Sequence, residues 1–201
     1  MLTAIVGGLL AGCSTVTTMH YDLKSSAESA ATSSTSNAAI NYRLASVEVP
    51  ESIDVSTLIV RQPDNSLMVL SHDKWVGSLG EALRNGVTAG LSRELGLPPL
   101  PDSMLPSQPS NSTTEIAIKI EQFDMQPARQ ASLAAIWQVT TRGPNRQKVT
   151  CYTVWSEKVE PGVAALVAAQ QRNVQKLSAQ IADTIKTGKT PTTGNCQVGK
   201  A

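Results

Sequence analysis

The most regular pattern in the chain is the alternation of apolar and polar residues over 115–124, which reads EIAIKIEQFD. A period of two predicts a β-strand with one buried face, because successive side chains of a strand point to opposite sides. Two further runs, 133–142 and 148–158, flank the turn residues Gly-Pro-Asn at 143–145 and predict a hairpin. The buried face of the first strand is expected to hold Ile116, Ile118, Ile120 and Phe123.

The strand predicted at 148–158 carries apolar side chains on both faces. A strand of this kind is expected in the interior of a sheet, where both faces are covered. One face holds Val149, Cys151, Thr153 and Trp155, and the other holds Thr150, Tyr152 and Val154.

Shorter runs in the N-terminal half predict strands at 19–24, 40–49, 57–62 and 67–71. The last two flank the tetrapeptide Pro-Asp-Asn-Ser at 63–66, whose residue types are favoured in tight turns. This pair therefore predicts a second hairpin.

The segment 74–95 has apolar residues at spacings of three and four, which predicts an amphipathic helix with one buried stripe. Ser71 or Asp73 can cap its start, and Gly96 followed by Pro98 is expected to end it. The stripe consists of Val76, Leu79, Leu83, Val87, Leu91 and Leu95.

A second helix is predicted at 163–186, directly after a Pro-Gly pair at 161–162 and directly before Gly188. The buried stripe consists of Val163, Leu166, Val167, Val174, Leu177, Ile181 and Ile185.

The order of these elements predicts the fold class. Strands, a helix, three antiparallel strands and a final helix indicate a single-domain α/β sandwich, with a mixed, mostly antiparallel sheet and two long helices packed on it. The domain is expected to span 19–188, with a low-complexity Ser/Ala/Thr loop at 25–39 and a Pro-rich loop at 97–114. Residues 189–201 are predicted to form a C-terminal tail.

The N-terminus carries a short apolar run at 2–11, about half the length that crosses a bilayer, which is typical of a signal peptide. The run ends in Leu-Ala-Gly-Cys at 10–13, the pattern of a bacterial lipobox. We expect the thiol of Cys13 to take a diacylglyceryl group, while the small Ala11 and Gly12 give the signal peptidase access. The alternative is an ordinary secretory signal with an incidental cysteine.

These features divide the N-terminal region into a signal peptide at 1–12 and a lipidated tether at 13–18. Acyl chains on Cys13, palmitate among them, would hold the protein on a membrane facing the periplasm, since two or more chains give stable anchoring. Ser14 follows the cysteine where an Asp commonly retains such lipoproteins at the inner membrane, so the outer membrane is favoured.

If Cys13 carries lipid, two cysteines remain for an oxidising compartment, Cys151 and Cys196. A disulfide between them would attach the C-terminal tail to the sheet. The alternative is two free thiols.

Composition and charge exclude some classes of partner. The chain has 17 Lys and Arg against 16 Asp and Glu, a formal net charge of +1, which gives no electrostatic reason to expect nucleic acid or an anionic lipid surface as a partner. Three Trp, three Tyr and one Phe make aromatic residues scarce, so the core is expected to consist of aliphatic side chains.

The sequence contains no recognised catalytic, phosphate-binding or metal-binding motif. His20 and His72 stand in no ligand-like spacing with Cys, Asp or Glu, so we expect no metal and no cofactor. Asp73 could orient His72, but no nucleophile is placed near the pair. We therefore expect a protein that is not an enzyme, and a periplasmic hydrolase remains the less favoured class.

The N-terminal half resembles the auxiliary lipoprotein component of ABC-type transport systems, the PqiC-like family of the paraquat-inducible operon lipoprotein. The resemblance covers the N-terminal half well and the C-terminal half through its order of strands and helix. The ordered features that carry it are the lipobox, Tyr21-x-Leu23, Val47-Glu48-Val49-Pro50, Ile59-Val60-Arg61, Trp75 and the Leu-spaced helix that ends at Leu95.

The resemblance implies a non-catalytic partner of an MCE-domain protein and an inner-membrane permease, which together move lipids between the two membranes. Such a lipoprotein would tether or cap the periplasmic conduit at the outer membrane, and it could form a homo-oligomeric ring. Trp75 and Arg61 are the candidate partner-binding residues. The structural alternatives are a Trp75 that packs the helix start onto the sheet and an Arg61 in a structural ion pair.

A different class of function is a self-sufficient periplasmic lipid carrier. This reading requires an apolar cavity that can hold an acyl chain, and small aliphatic residues could line one. A bound lipid would favour the carrier, and a bound transport protein would favour the accessory subunit.

Overall fold

The computed structural model describes residues 16–24, 40–104, 113–143 and 146–199. Cys13, the signal peptide and the low-complexity loop lie outside the described residues, as does the middle of the Pro-rich loop, residues 105–112. The strands are β1 (Met19–Tyr21), β2 (Tyr42–Glu48), β3 (Thr57–Arg61), β4 (Leu67–Trp75), β5 (Thr113–Gln126), β6 (Gln130–Arg142), β7 (Gln147–Lys158) and β8 (Asn195–Gly199). The helices are α1 (Leu79–Leu95) and α2 (Val163–Thr187), with a short 3-10 helix at Asp102–Met104.

The predicted fold class is confirmed, and the strands are divided between two sheets. A five-stranded sheet has the order β2-β5-β6-β7-β8, and a three-stranded sheet has the order β1-β4-β3. Each sheet contains one parallel pair, β2 with β5 and β1 with β4, while the other pairs are antiparallel. The two hairpins predicted from turn residues, β3–β4 and β6–β7, are both present.

Both helices cover one face of the five-stranded sheet. Helix α2 packs on β6 and β7, and α1 packs on α2 and β2. Gly90 permits this close approach, because a Cβ at that position would lie 2.6 Å from the Cβ of Ser178 on α2. The core between these layers is mainly aliphatic, as expected, and its largest members include Trp137, Tyr42, Leu58, Leu83, Leu91, Ile118, Leu133 and Leu166.

Helix α1 begins at Leu79, so the predicted start at Lys74 is wrong. The cap is Ser78, whose Oγ accepts from the backbone N–H of Glu81, while the Glu81 carboxylate accepts from the backbone N–H of Ser78. This reciprocal pair is a capping box, which stabilises the first turn and fixes where the helix begins. Neither Ser71 nor Asp73 has the predicted capping role.

The residues before Ser78 extend β4 and then turn. Strand β4 reaches Trp75, because β1 pairs with its last three residues. Val76, predicted on the buried stripe, is instead exposed in this turn. Gly77 has a φ of 86°, a left-handed conformation that favours glycine and separates strand from helix. The predicted end of the helix at Gly96 is confirmed by its left-handed cap, with φ 80°.

Strand β7 lies inside its sheet, as predicted, but only one of its faces is covered. Its inner residues Val149, Cys151 and Thr153 are buried, whereas Tyr152 and Val154 on the outer face are exposed. Strand β8, within the predicted C-terminal tail, covers the edge of β7. The tail segment gave no alternating pattern from which this strand could be predicted.

Candidate functional site

The two candidate residues, Trp75 and Arg61, meet in one cleft. Arg61 ends β3 and Trp75 ends β4, and the cleft separates this three-stranded sheet from the C-terminal part of β5. Its free volume is about 50 Å³, and its walls include Ile59, Leu67 and Phe123 as well as the two candidates. The cleft is therefore small, largely apolar and open to solvent beside a charged pair.

Trp75 forms part of the wall of this cleft. The residue is only 3% exposed, and its ring meets the ring of Phe123 edge-on, with centroids 5.9 Å apart and planes at 78°. Edge-to-face pairs of this kind stabilise a core beyond the area they bury. The backbone N–H of Trp75 also donates to the carbonyl oxygen of Ser56 at 2.7 Å. The indole thus offers little surface for direct contact and instead shapes the cleft.

Arg61 is held by an acidic residue at the mouth of the cleft. Its Nε donates to Oδ1 of Asp124 at 2.8 Å, and its Nη1 donates to the carbonyl oxygen of Asn65 at 3.2 Å. The Asp124 side chain is 8% exposed and that of Arg61 is 35% exposed, so the carboxylate is desolvated and depends on its donors. The second oxygen of Asp124 accepts from Gln126 at 2.8 Å.

Two buried polar residues of α2 support the same part of β5 from the core side. Gln170 Nε2 donates to the carbonyl oxygens of Asp124 and Ser132, at 2.9 and 3.1 Å. Asn173 Nδ2 donates to the carbonyl oxygen of Ala131 at 3.2 Å and to Oε1 of Gln170 at 3.1 Å. The bond from Gln170 fixes the backbone at Asp124, and Asn173 fixes both Gln170 and the neighbouring strand β6. Oδ1 of Asn173 is buried without a hydrogen-bond partner among the described residues.

Sequence reasoning missed Gln170 and Asn173, although a signal was present. The apolar stripe of α2 is interrupted between Val167 and Val174, and both polar residues lie in that gap at helical spacing. Polar residues at positions that face a core indicate backbone groups there that need partners. A register shift in β5 between Ile120 and Gln122 creates irregular backbone just before this point.

The cysteine pair lies on the other side of the molecule. Cys151 on β7 and Cys196 on β8 are opposite one another in the strand register, and the structure joins them in a disulfide with an S–S distance of 2.06 Å. An open groove of about 360 Å³ runs beside this disulfide on the outer face of the sheet, along Ile136 and Tyr152. The described residues that line this groove include the hydroxyl groups of Thr150 and Tyr152 but no charged side chain.

The histidines are not assembled into a site in the described part of the chain. The hydroxyl of Tyr21 donates to Oδ1 of Asp73 at 3.0 Å, so this carboxylate has a partner other than His72. Burial first, and then the Asp73 carboxylate, raise the pKa of the Tyr21 phenol. Among the described residues, no group of three or more His, Cys, Asp or Glu side chains could hold a metal ion.

The described residues include no helix that is both long and apolar enough to cross a membrane. Cys13 and the segment before it lie outside the described residues, so the lipidation predicted there stays a prediction.

A comparison with protein families matches residues 21–182 to a family described as the ABC-type transport auxiliary lipoprotein component. The match includes both candidate residues, all of α1, most of α2 and every residue that lines the cleft. A comparison with curated proteins gives no match.

Two solved structures are similar to this chain in fold. One is the crystal structure of an uncharacterized protein, with a TM-score of 0.62 and 18% identity, over 84% of this chain and 99% of that one. The other is protein XCC0632 from Xanthomonas campestris, of family DUF330, with a TM-score of 0.53 and 15% identity, over 74% of this chain and 85% of that one. At these identities the likeness shows the fold alone.

Proposed function

This chain belongs to the family of ABC-type transport auxiliary lipoprotein components, and we propose that it is a non-catalytic accessory subunit of an intermembrane lipid transport system. In this proposal acyl chains on Cys13 anchor it to the periplasmic face of the outer membrane. The folded domain tethers or caps a conduit formed by an MCE-domain protein and its inner-membrane permease, either alone or as a homo-oligomeric ring. The observation that carries the proposal is the family match over residues 21–182.

We further propose that the cleft beside Trp75 and Arg61 receives a side chain of the transport partner. Trp75 holds the apolar wall through its contact with Phe123, and Arg61 fixes one side of the mouth through Asp124. The residues that contribute most to binding at protein interfaces are found in well-packed, desolvated pockets, and this cleft could form such a pocket once a partner covers it. The partly exposed Ile59 and the exposed Leu67 offer contact surface in this arrangement.

The cleft gives less support to the alternative, a self-sufficient lipid carrier. Sites for drug-sized ligands occupy about 300–1,000 Å³, whereas this cleft offers about 50 Å³. Its volume suits one side chain of a partner, and an acyl chain would require the surrounding strands to separate.

Affinity capture of the full-length, natively lipidated protein from mildly solubilised membranes tests the proposal. Mass spectrometry should identify an MCE-domain protein or its permease among the captured proteins, and it should find acyl chains on the N-terminal Cys13 peptide. Recovery of the lipoprotein alone, under conditions that preserve other envelope complexes, would count against the accessory-subunit role. A co-purified lipid in that case would favour the carrier.

A pair of matched variants tests the cleft itself. Ile59→Arg places a charge in the cleft, and Ile136→Arg places the same charge on the outer face of the five-stranded sheet. We expect Ile59→Arg to reduce recovery of the transport partner about tenfold, which corresponds to about 1.4 kcal/mol of binding free energy. Ile136→Arg should leave recovery unchanged. Equal recovery by both variants, with equal melting temperatures, would exclude the cleft as the contact.

A further inference from the structure

The first residues of β4 form an exposed apolar surface, and one of them, Leu67, also borders the cleft. Leu67, Met68 and Val69 are 55%, 45% and 56% exposed. Successive side chains of a strand point to opposite faces, so both faces of the hairpin are apolar at this end. A strand that only packs on a core would place its apolar residues on one face.

The same part of β4 also has an open edge among the described residues. Strand β3 pairs with Leu67–Leu70, whereas β1 pairs only with Asp73–Trp75. The surface therefore combines exposed apolar side chains with a strand edge beside them. We call the segment Leu67–Val69 the apolar hairpin end.

The direction of β1 brings the N-terminal tether toward the apolar hairpin end. Strand β1 is parallel to β4, so the chain before Met19 leaves the sheet on the side of the β3–β4 turn. Cys13 lies six residues before Met19, a span of at most about 20 Å when fully extended. Val16 and Met19, along this path, are also exposed apolar residues.

Segment 19–24 is fixed to the domain, so only the residues before Met19 can act as the tether. Leu23 is buried beside α1, and Gln171 Nε2 of α2 donates to the carbonyl oxygens of Asp22 and Lys24, at 2.9 and 3.2 Å. Anchoring at Cys13 would hold the turn side of the three-stranded sheet within reach of the bilayer surface.

On the basis of the proposed lipidation of Cys13, we infer that the apolar hairpin end docks on the lipid bilayer as a second attachment that orients the domain. The apolar side chains enter the boundary between headgroups and acyl chains, a depth of about 5–10 Å. The turn before Leu67 is polar, and in this arrangement it stays among the lipid headgroups. Within the turn, the Asp64 carboxylate accepts hydrogen bonds from Ser66 N–H and Oγ–H. The hydrogen bonds from Ser66 lower the pKa of Asp64.

Site-directed fluorescence with two matched positions tests this docking. Val69 and Val154 are the same residue type, both lie in strands, and they are 56% and 54% exposed. Val69→Cys and Val154→Cys are each made in the full-length, natively lipidated chain and labelled with an environment-sensitive fluorophore. The proteins are reconstituted into vesicles of phosphatidylethanolamine and phosphatidylglycerol, with and without nitroxide-labelled lipid.

We expect nitroxide lipid to quench the probe at position 69 and to leave the probe at position 154 unchanged. Because docking is apolar, quenching at position 69 should persist at high salt. No quenching at either position, or equal quenching at both, would overturn the inference. Blue-shifted emission at position 69 without quenching would place the hairpin against protein, either a second copy or a partner strand, and would overturn it as well.

Flotation of the same vesicles separates this inference from the proposed function. Protein that floats with the vesicles but shows no quenching at position 69 refutes the hairpin contact and leaves the anchor intact. Protein that does not float refutes lipid anchoring, and the hairpin contact falls with it.

Discussion

Replacement of Arg61 by alanine tests whether the ion pair with Asp124 supports the cleft. The variant removes the donor to Asp124 Oδ1 and leaves a carboxylate that is 8% exposed with Gln126 as its remaining side-chain donor. Loss of one partner of a fully buried ion pair costs about 3–5 kcal/mol, and loss of an exposed pair costs about 0–1 kcal/mol. Since Arg61 is 35% exposed and water can replace part of its hydrogen bond, we expect a loss of about 2 kcal/mol in the free energy of unfolding.

A double-mutant cycle assigns that loss to the pair itself. Urea unfolding is measured for the parent, Arg61→Ala, Asp124→Asn and the double variant, with the Cys151–Cys196 disulfide kept oxidised. In the Asp124→Asn background, the cost of Arg61→Ala should fall below about 1 kcal/mol, because no buried charge is left without a partner. For a domain of this size the single variant should also melt about 4–8 °C lower.

An exposed ion pair provides the control. Arg142 is 70% exposed and its Nη2 lies 3.4 Å from Glu115 Oε2, so Arg142→Ala should change the unfolding free energy by less than about 0.5 kcal/mol. If Arg61→Ala costs the same in both backgrounds, Asp124 is not its energetic partner. The described hydrogen bond would then not account for the position of Arg61, and the proposed support of the cleft would be refuted.

Two further predictions concern stability away from the cleft. Gly90→Leu should lower the free energy of unfolding by about 2 kcal/mol or more, because a side chain at this position meets Ser178 and separates the two helices. An unchanged midpoint of urea unfolding would contradict the close packing of α1 on α2. Reduction of the Cys151–Cys196 disulfide, which closes a loop of 45 residues, should cost up to about 4 kcal/mol by chain entropy. A Cys196→Ser variant should be insensitive to reductant, and an equal midpoint in the parent with and without reductant would refute the stabilising role.

Patterns that repeat over many residues allowed most of the fold to be predicted. The alternation at Ile116, Ile118 and Ile120 predicted a buried strand face, and these side chains are buried in β5. The helix ends at Gly96 and Gly188 were also predictable, since a left-handed cap favours glycine and both caps are left-handed. Local residue chemistry and local periodicity determine these features, so no information about distant contacts was needed.

Features that depend on contacts between residues far apart in the chain could not be predicted from local sequence patterns. The apolar period of α1 continues backward through Trp75 and Val76, so periodicity alone could not show that β1 extends β4 to Trp75. The Ser78–Glu81 capping box was the local signal that could have corrected the helix start. The contact of Trp75 with Phe123 joins residues 48 positions apart (123 minus 75), and no spacing rule predicts it.

Two residues of the candidate site were predicted from the sequence, but their arrangement in space was not. The resemblance to the transport lipoproteins indicated Trp75 and Arg61, and the structure brings both into one cleft. The partner of Arg61 follows a register shift in β5, which changes the alternation before Asp124 and leaves a carboxylate buried. An acidic residue in a strand usually indicates a solvated face, so its burial could be recognised only once the strand pairing was known.

The position of the cleft relative to the tether connects the proposed anchoring to the proposed partner contact. Strand β1 carries the tether and pairs with the last three residues of β4, which end in Trp75. The backbone N–H of Val76 donates to the carbonyl oxygen of Tyr21, so the chain entering from the tether is bonded directly beside the wall of the cleft. The chain from Cys13 to Met19 reaches at most about 20 Å when fully extended. Lipid anchoring at Cys13 would therefore limit how far Met19, and with it the nearby cleft, can lie from the bilayer, which suits a subunit that joins a transport conduit to one membrane.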